Sequence, residues 1–144
     1  MKQLKKLFLS IPFLVMGLFF ISTNEVSAGT GPEGDCGAKV WTDYTNYYMP
    51  GAKTVDFYVS KPSSSCDGSV YYDVRIEKKY SFGWQFTTLN VPLNGEFAFR
   101  TPTKQIDIDK YFGSSGTYRI NILMHNGQQI ADGEVESHDI YIHY

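Results

Sequence analysis

After residue 28 the apolar residues of this chain recur at every second position, and no segment repeats them at helical spacing. Strands with one buried face produce that alternation. Thr54–Ser60 sets Val55, Phe57 and Val59 on one face, and Ser69–Lys78 does the same with Val70, Tyr72, Val74 and Ile76. Tyr80–Thr87 aligns Tyr80, Phe82, Trp84 and Phe86 against a face of Ser81, Gly83, Gln85 and Thr87. Glu96–Thr101 offers Phe97 and Phe99, Thr117–His125 offers Tyr118, Ile120, Ile122 and Met124, and Asp139–Tyr144 offers Ile140 and Ile142. Asn94-Gly95 and Asn126-Gly127 suit tight hairpins, because both residue types tolerate positive φ. Met49-Pro50-Gly51, Lys61-Pro62-Ser63 and Gly113–Gly116 mark longer loops, and Asp107–Phe112 can form one helical turn capped by Asp109. The pattern predicts an all-β fold, an antiparallel β-sandwich of about 7–9 short strands.

The first 28 residues follow a different logic. Lys2, Lys5 and Lys6 form a basic head, Leu7–Ile21 is almost uninterruptedly apolar, and Val26-Ser27-Ala28 supplies small residues for cleavage after Ala28. This is the three-part pattern of a secretory signal peptide. A retained anchor is the alternative, but the apolar run falls short of the roughly 20 residues that a spanning helix needs. Residues 1–28 are therefore expected to be a cleaved signal, and residues 29–144 a single secreted domain. Losing Lys2, Lys5, Lys6 and Glu25 leaves ten basic and fourteen acidic side chains, a net charge of −4. The basic residues are scattered, with only Lys78-Lys79 adjacent. Nucleic acid and anionic membrane both call for clustered positive charge, so neither is an expected partner.

Cys36 and Cys66 are the two cysteines, each in turn-like surroundings. In an oxidising compartment an even pair reads as a disulfide, here tying the N-terminal segment to the loop after Thr54–Ser60. Closing such a loop contributes roughly 3–4 kcal/mol. Free thiols or half a metal site are the alternatives, and no histidine or cysteine spacing nearby supports the latter.

The stretch YFGSSGTYRINILMHNGQQIADGEV, Tyr111 to Val135, resembles the end of many bacterial immunoglobulin-like domains. There a loop and a glycine lead into a strand beginning Thr-Tyr, followed by an Asn-Gly hairpin. The resemblance implies an immunoglobulin-like sandwich with Tyr118 as a tyrosine corner, its hydroxyl bonded back to the preceding loop. A Cys36–Cys66 bond does not correspond to the inter-sheet disulfide of true immunoglobulin domains. Separately, WTDYTNYYMPGAKTVDFYV resembles the aromatic stretch of lactococcin-972-type bacteriocins, with Met49 where that family carries histidine.

No catalytic machinery is legible. The histidines are His125, His138 and His143, no GxSxG elbow is present, and Gly113–Gly116 reads as a flexible turn. Asp132, Glu134, Glu136 and His138 share one parity and would line one strand face, where Ca²⁺ could find carboxylate oxygens. Side chains on a straight strand diverge, however, so a solvated acidic face is the expectation, with neither metal nor cofactor. Ile140 and Ile142 have the parity of those acids while Val135 has the other, which predicts a bulge near Ser137-His138. His138 is then a bend residue and His143 is exposed.

Aromatic residues are the compositional excess, nineteen among residues 29–144, including all eleven tyrosines. The Tyr80–Phe86 stripe is expected to pack in the core. Adjacent Tyr71 and Tyr72 must point to opposite faces, and Tyr72 joins Val70 and Val74 inward, leaving Tyr71 outside with Asp73 and Arg75. In WTDYTNYYMPG, read as one extended segment, Trp41 and Tyr47 share a face and Tyr44 and Tyr48 share the other with Val40. Val40 directs Tyr44 and Tyr48 inward, so Trp41, Tyr47 and Tyr71 are the candidate ligand-binding residues. A monomeric, non-catalytic binding module for an extracellular polysaccharide, cell-wall polymer or protein is the leading reading. A bacteriocin-like toxin or enzyme inhibitor, and a matrix protein assembling through edge strands, are the alternatives.

Overall fold

A computed structural model describes residues 29–62, 66, 68–126 and 131–144. The expected signal peptide, the Ser63–Ser65 loop, Gly127 of the expected Asn-Gly turn and the Asp132 side chain lie outside the described residues.

Among the described residues ten strands run in chain order: β1 Gly29–Thr30, β2 Lys39–Thr42, β3 Asn46–Tyr48, β4 Thr54–Ser60, β5 Val70–Tyr80, β6 Gly83–Phe97, β7 Lys104–Asp107, β8 Gly116–His125, β9 Ala131–Glu136 and β10 Ile140–His143. They form two sheets, ordered β1-β2-β4-β7 and β3-β10-β8-β5-β6, with β9 also paired to β8. Every pairing is antiparallel except that of β3 with β10, which is parallel. The inward faces of β4, β5, β8 and β10 are those that the alternation marks. Val55, Phe57 and Val59 from one sheet meet Val74, Ile76, Ile120, Ile122, Met124, Ile140 and Ile142 from the other, all buried. Each such side chain contributes about 1.5–3 kcal/mol by leaving water.

The expected irregularity near Ser137-His138 is present. Three steps of β8, from Asn121 to Tyr118, are matched by four from Glu136 to Ile140. One extra residue reverses the parity, so Val135 and Ile140 both point inward. His138 sits in that bend, its Nε2 2.6 Å from the Thr42 hydroxyl and its Nδ1 2.7 Å from the Asp139 carbonyl.

The tyrosine corner is also formed. The buried Tyr118 hydroxyl donates back to the carbonyl oxygens of Phe112 and Ser114, the latter at 2.8 Å. Tyr118→Phe strands these acceptors, and the expected loss is about 1–2 kcal/mol of unfolding free energy. An unchanged urea midpoint would show that the corner carries no stability.

Four local expectations are corrected. The helical turn α1, Ile108–Tyr111, is capped by Asp107 rather than Asp109, since the Asp107 carboxylate accepts the Lys110 N–H at 2.9 Å. Asn94-Gly95 makes no hairpin: β6 runs through it to Phe97, and Gly95 lies against the Tyr72 ring, where a Cβ would approach the hydroxyl oxygen to 3.2 Å. Phe99 lies beyond the strand end and is exposed. Finally, the Tyr80–Phe86 stripe is not core. The hairpin turn falls at Ser81-Phe82, with Tyr80 paired to Gly83, so the alternation is folded back on itself. Tyr80, Phe82 and Phe86 are exposed.

Cys36 and Cys66 form the expected disulfide, with Cα atoms 5.5 Å apart. It joins a 3-10 turn at Asp35–Gly37 to the loop through which the chain passes from β4 in one sheet to β5 in the other.

Candidate functional site

The site forms where the chain leaves one sheet for the other. After β2, residues Asp43–Thr45 cross to β3, and Asp43 is fastened on both sides. Its N–H donates to the Asp56 carbonyl at 3.0 Å, and its carboxylate accepts the Asp56 N–H at 3.0 Å. The same carboxylate accepts the Tyr47 hydroxyl proton, and the Tyr47 oxygen in turn accepts the Tyr44 N–H at 3.2 Å. Burial, reinforced by the hydrogen bond to Asp43, pushes the Tyr47 phenol well above its ordinary value. It therefore stays protonated, and donating, at any working pH.

This network fixes two exposed rings. Tyr44 meets Tyr47 edge-on at 5.8 Å, and Tyr48 lies flat on His143 at 4.5 Å. Tyr44 is 40% and Tyr48 61% exposed. They flank a cleft of about 460 Å³ that also presents Asn46, Lys53, Thr54 and Asp56. The Asp56 carboxylate is oriented by the Thr54 hydroxyl at 2.9 Å and the Gln105 amide at 3.1 Å.

A second cleft of about 260 Å³ shares Asp43 and Asp56 and adds Trp41, Tyr58 and Thr103. Trp41 stacks on Tyr58 at 5.8 Å and 10°, and its indole N–H donates to the Ser60 hydroxyl at 3.0 Å. The Arg100 guanidinium lies 3.7 Å from the centre of the Tyr58 ring. The two clefts thus form one shallow track, with rings at each end and carboxylates between. Ring faces offer apolar contact at low entropic cost, and the fixed carboxylates accept hydrogen bonds from a hydroxylated ligand.

Of the three residues expected to bind, Trp41 points outward into this track, half-buried because it stacks on Tyr58. The exposure expected of Tyr47 is corrected: it is 2% exposed, while Tyr44 and Tyr48, expected inward, are the open rings. The segment is not one strand. Its three-residue crossing changes sheets and resets which parity faces the core. Tyr71 is 43% exposed as expected, stacked on His125 at 5.8 Å, but it lines a separate hollow with Asp73, Asn94 and Glu96. Trp41 and Tyr71 belong to different sheets and are not brought together. Asp56 and Tyr58, which are not among the residues expected to bind, alternate with the inward residues of β4, so their outward orientation is legible in the sequence. Asp43, Tyr44 and Tyr48 depend on the crossing, for which no local signal exists.

The acidic face of β9 is spoken for by arginines: Glu134 pairs with Arg75 at 3.3 Å, and Glu136 with Arg119. Among the described residues no group of three or more His, Cys, Asp or Glu could hold a metal ion. In the Gly113–Gly116 loop, Ser114 accepts from the Lys78 ammonium at 2.6 Å and Ser115 from the Tyr144 N–H at 2.8 Å, which are structural engagements.

A family model described as the YqgA MG2 macroglobulin domain matches residues 25–143. Macroglobulin-type sandwiches are a superfamily related to immunoglobulin-like folds. The match spans WTDYTNYYMPGAKTVDFYV and lends no support to the bacteriocin resemblance of that stretch. No curated protein matches the chain.

Proposed function

We propose, for a chain that belongs to the YqgA MG2 macroglobulin domain family, a secreted, non-catalytic module that holds a glycan along the track between Tyr48 and Trp41. One observation carries this reading: exposed tyrosines and a stacked Trp41–Tyr58 pair bracket two carboxylates held in place by hydrogen bonds. Secretion rests on the leader-like pattern of residues 1–28. A monomer fits the sheet edges. The long edge strand β6 slips register against β5 three times and carries Pro92, and both features discourage strand addition. The other terminal strands of the two sheets, β1, β3 and β7, are only two, three and four residues long. Assembly into a matrix through edge pairing is correspondingly disfavoured.

The test is depletion of the protein from solution by insoluble glycans and purified cell walls. Binding is expected to at least one of them, and Tyr44→Ala combined with Tyr48→Ala should weaken it by about tenfold or more, as loss of two aromatic anchors does. The reading fails if no polymer depletes the protein, or if the double variant binds as well as the wild type.

A further inference from the structure

We propose that His138 is a proton latch on the Asp43–Thr45 crossing: the charged imidazole holds the crossing in place, and loss of the charge lets it loosen. The hydrogen bonds at the ring fix its charge. The Asp139 carbonyl, 2.7 Å from Nδ1, can only accept, so Nδ1 carries a hydrogen. The Thr42 oxygen lies 2.6 Å from Nε2, and its own proton goes to the Tyr44 carbonyl at 2.9 Å. Nε2 must then donate as well. An imidazole that donates from both nitrogens is an imidazolium.

Neither neutral form fits these places. With Nε2 bare, Thr42 must turn its proton to the ring and abandon Tyr44, or hold its oxygen against a second lone pair. With Nδ1 bare, a lone pair faces the Asp139 carbonyl instead. Each case forfeits one hydrogen bond, and Thr42 is too buried for water to replace it. Bracing decides which side yields. The Ser137 N–H donates to the Ile120 carbonyl at 2.8 Å, while its hydroxyl accepts the Ile120 N–H at 2.9 Å and donates to the His138 carbonyl at 2.8 Å. Gly29 of β1 packs on the ring so closely that a Cβ there would overlap the imidazole. The ring therefore stays, and the Thr42 proton moves. Tyr44 loses the bond to its carbonyl and keeps only a long one from its N–H, 3.2 Å to the Tyr47 oxygen.

The charged groups on the elements around the ring are matched elsewhere. Asp139 stands 3.8 Å from Lys79 of β5, and Glu136 of β9 is bound by Arg119. On the β2 side Lys39 lies 3.5 Å from Glu33, and Asp43 accepts the Tyr47 hydroxyl and the Asp56 N–H. Processing after Ala28 would add the α-ammonium of Gly29, a like charge that favours release. The held crossing thus belongs to the acid side and loosens as the pH climbs through the range in which histidines change charge. Tyr44 is one of the two open rings of the track, so any effect on binding rests on the glycan reading, whereas the latch itself does not.

Nitrogen-15 spectra of the imidazole rings, recorded on the processed protein from about pH 5 to 8, read the charge directly. Both His138 nitrogens are expected to be protonated at the acid end. Over the same range, protection of the Tyr44 amide against hydrogen exchange, corrected for the intrinsic rate, should fall about fivefold, the worth of one hydrogen bond. Thr42→Val keeps the shape and removes the hydroxyl, so Tyr44 should exchange at the faster level throughout. Thr42→Ser should keep the pH response. A bare His138 nitrogen at the acid end, protection at Tyr44 indifferent to pH, or a response that survives Thr42→Val each overturns the latch. Where a polymer depletes the protein, depletion should weaken over the same range. If none does at any pH, the glycan reading fails, and the ring spectra and Tyr44 exchange still decide the latch.

Discussion

Replacing Cys36 and Cys66 together by serine should lower the unfolding free energy by about 3.5 kcal/mol, the chain-entropy value for a loop of this length. The bond spans 30 residues and closes the segment that includes β2, β3 and β4. One partner lies in the turn at Asp35–Gly37, which is held to β9 by the Asp35 carboxylate accepting the Glu134 N–H at 3.0 Å. The other lies in the loop that carries the chain between sheets, where the Lys61 ammonium donates to the carbonyls of Cys66 at 3.3 Å and Gly68 at 3.0 Å. These hydrogen bonds keep the native ends near each other once the covalent link is gone. The loss should then appear as a freer unfolded chain. In guanidinium unfolding the midpoint should fall sharply, and adding reductant to the wild type should reproduce the shift. A loss below about 1 kcal/mol would mean that the unfolded chain keeps the ends together without the bond.

Arg119→Ala should cost about 3 kcal/mol at neutral pH, the effect of removing one partner from a buried ion pair. Its guanidinium bridges Glu77 and Glu136 and lies 4.4 Å from the centre of the Trp84 ring. The Glu77 side chain is only 7% exposed, so without Arg119 its charge sits in poor contact with water and beside a second carboxylate. The pH dependence has a definite sign. Burial already raises the Glu136 carboxyl above its ordinary value, with Glu77 and Glu134 adding to the rise and Arg119 opposing it. Deleting Arg119 removes the opposing influence and raises the carboxyl further. A carboxyl whose folded-state pKa is raised favours folding at low pH and loses that contribution as the pH climbs through the raised value. The deficit of the variant should therefore be largest near neutrality and shrink as the pH falls toward 4.5, the ordinary glutamate value. Chemical unfolding at several pH values, on wild type and variant, measures this. A pH-independent deficit, or one of a few tenths of a kcal/mol, would place the cluster among ordinary surface pairs.

How far the sequence could be read differs from element to element. Within β4, β5, β8 and β10 alternation located both faces, because a strand with a buried side has only two orientations and a run of β-branched residues selects one. The bulge between Glu136 and Ile140 was legible by the same rule, as a conflict of parity that one extra residue resolves. The Tyr118 corner was legible through the resemblance of Tyr111–Val135 to immunoglobulin-like domains, and it reaches back only to Phe112 and Ser114. Parity failed wherever the backbone turned without announcing it. Ser81-Phe82 is not a recognised turn pair, so the Tyr80–Phe86 rings were assigned to one face when a hairpin separates them. Asp43–Thr45 crosses between sheets with no glycine or proline, which inverted the assignment of Tyr44, Tyr47 and Tyr48.

By itself, then, the sequence determined the all-β class, the inward faces of β4, β5, β8 and β10, the disulfide and the outward orientation of Trp41 and Tyr71. These follow from period-two geometry and covalent chemistry, which act along the chain. Only the tertiary structure decided that Tyr44 and Tyr48 are the open rings, that Asp43 and Asp56 meet beneath them, and that Trp41 and Tyr71 stand on different sheets. Those facts depend on where the chain changes sheets. Side-chain parity is defined relative to a sheet, and it carries no information across a crossing.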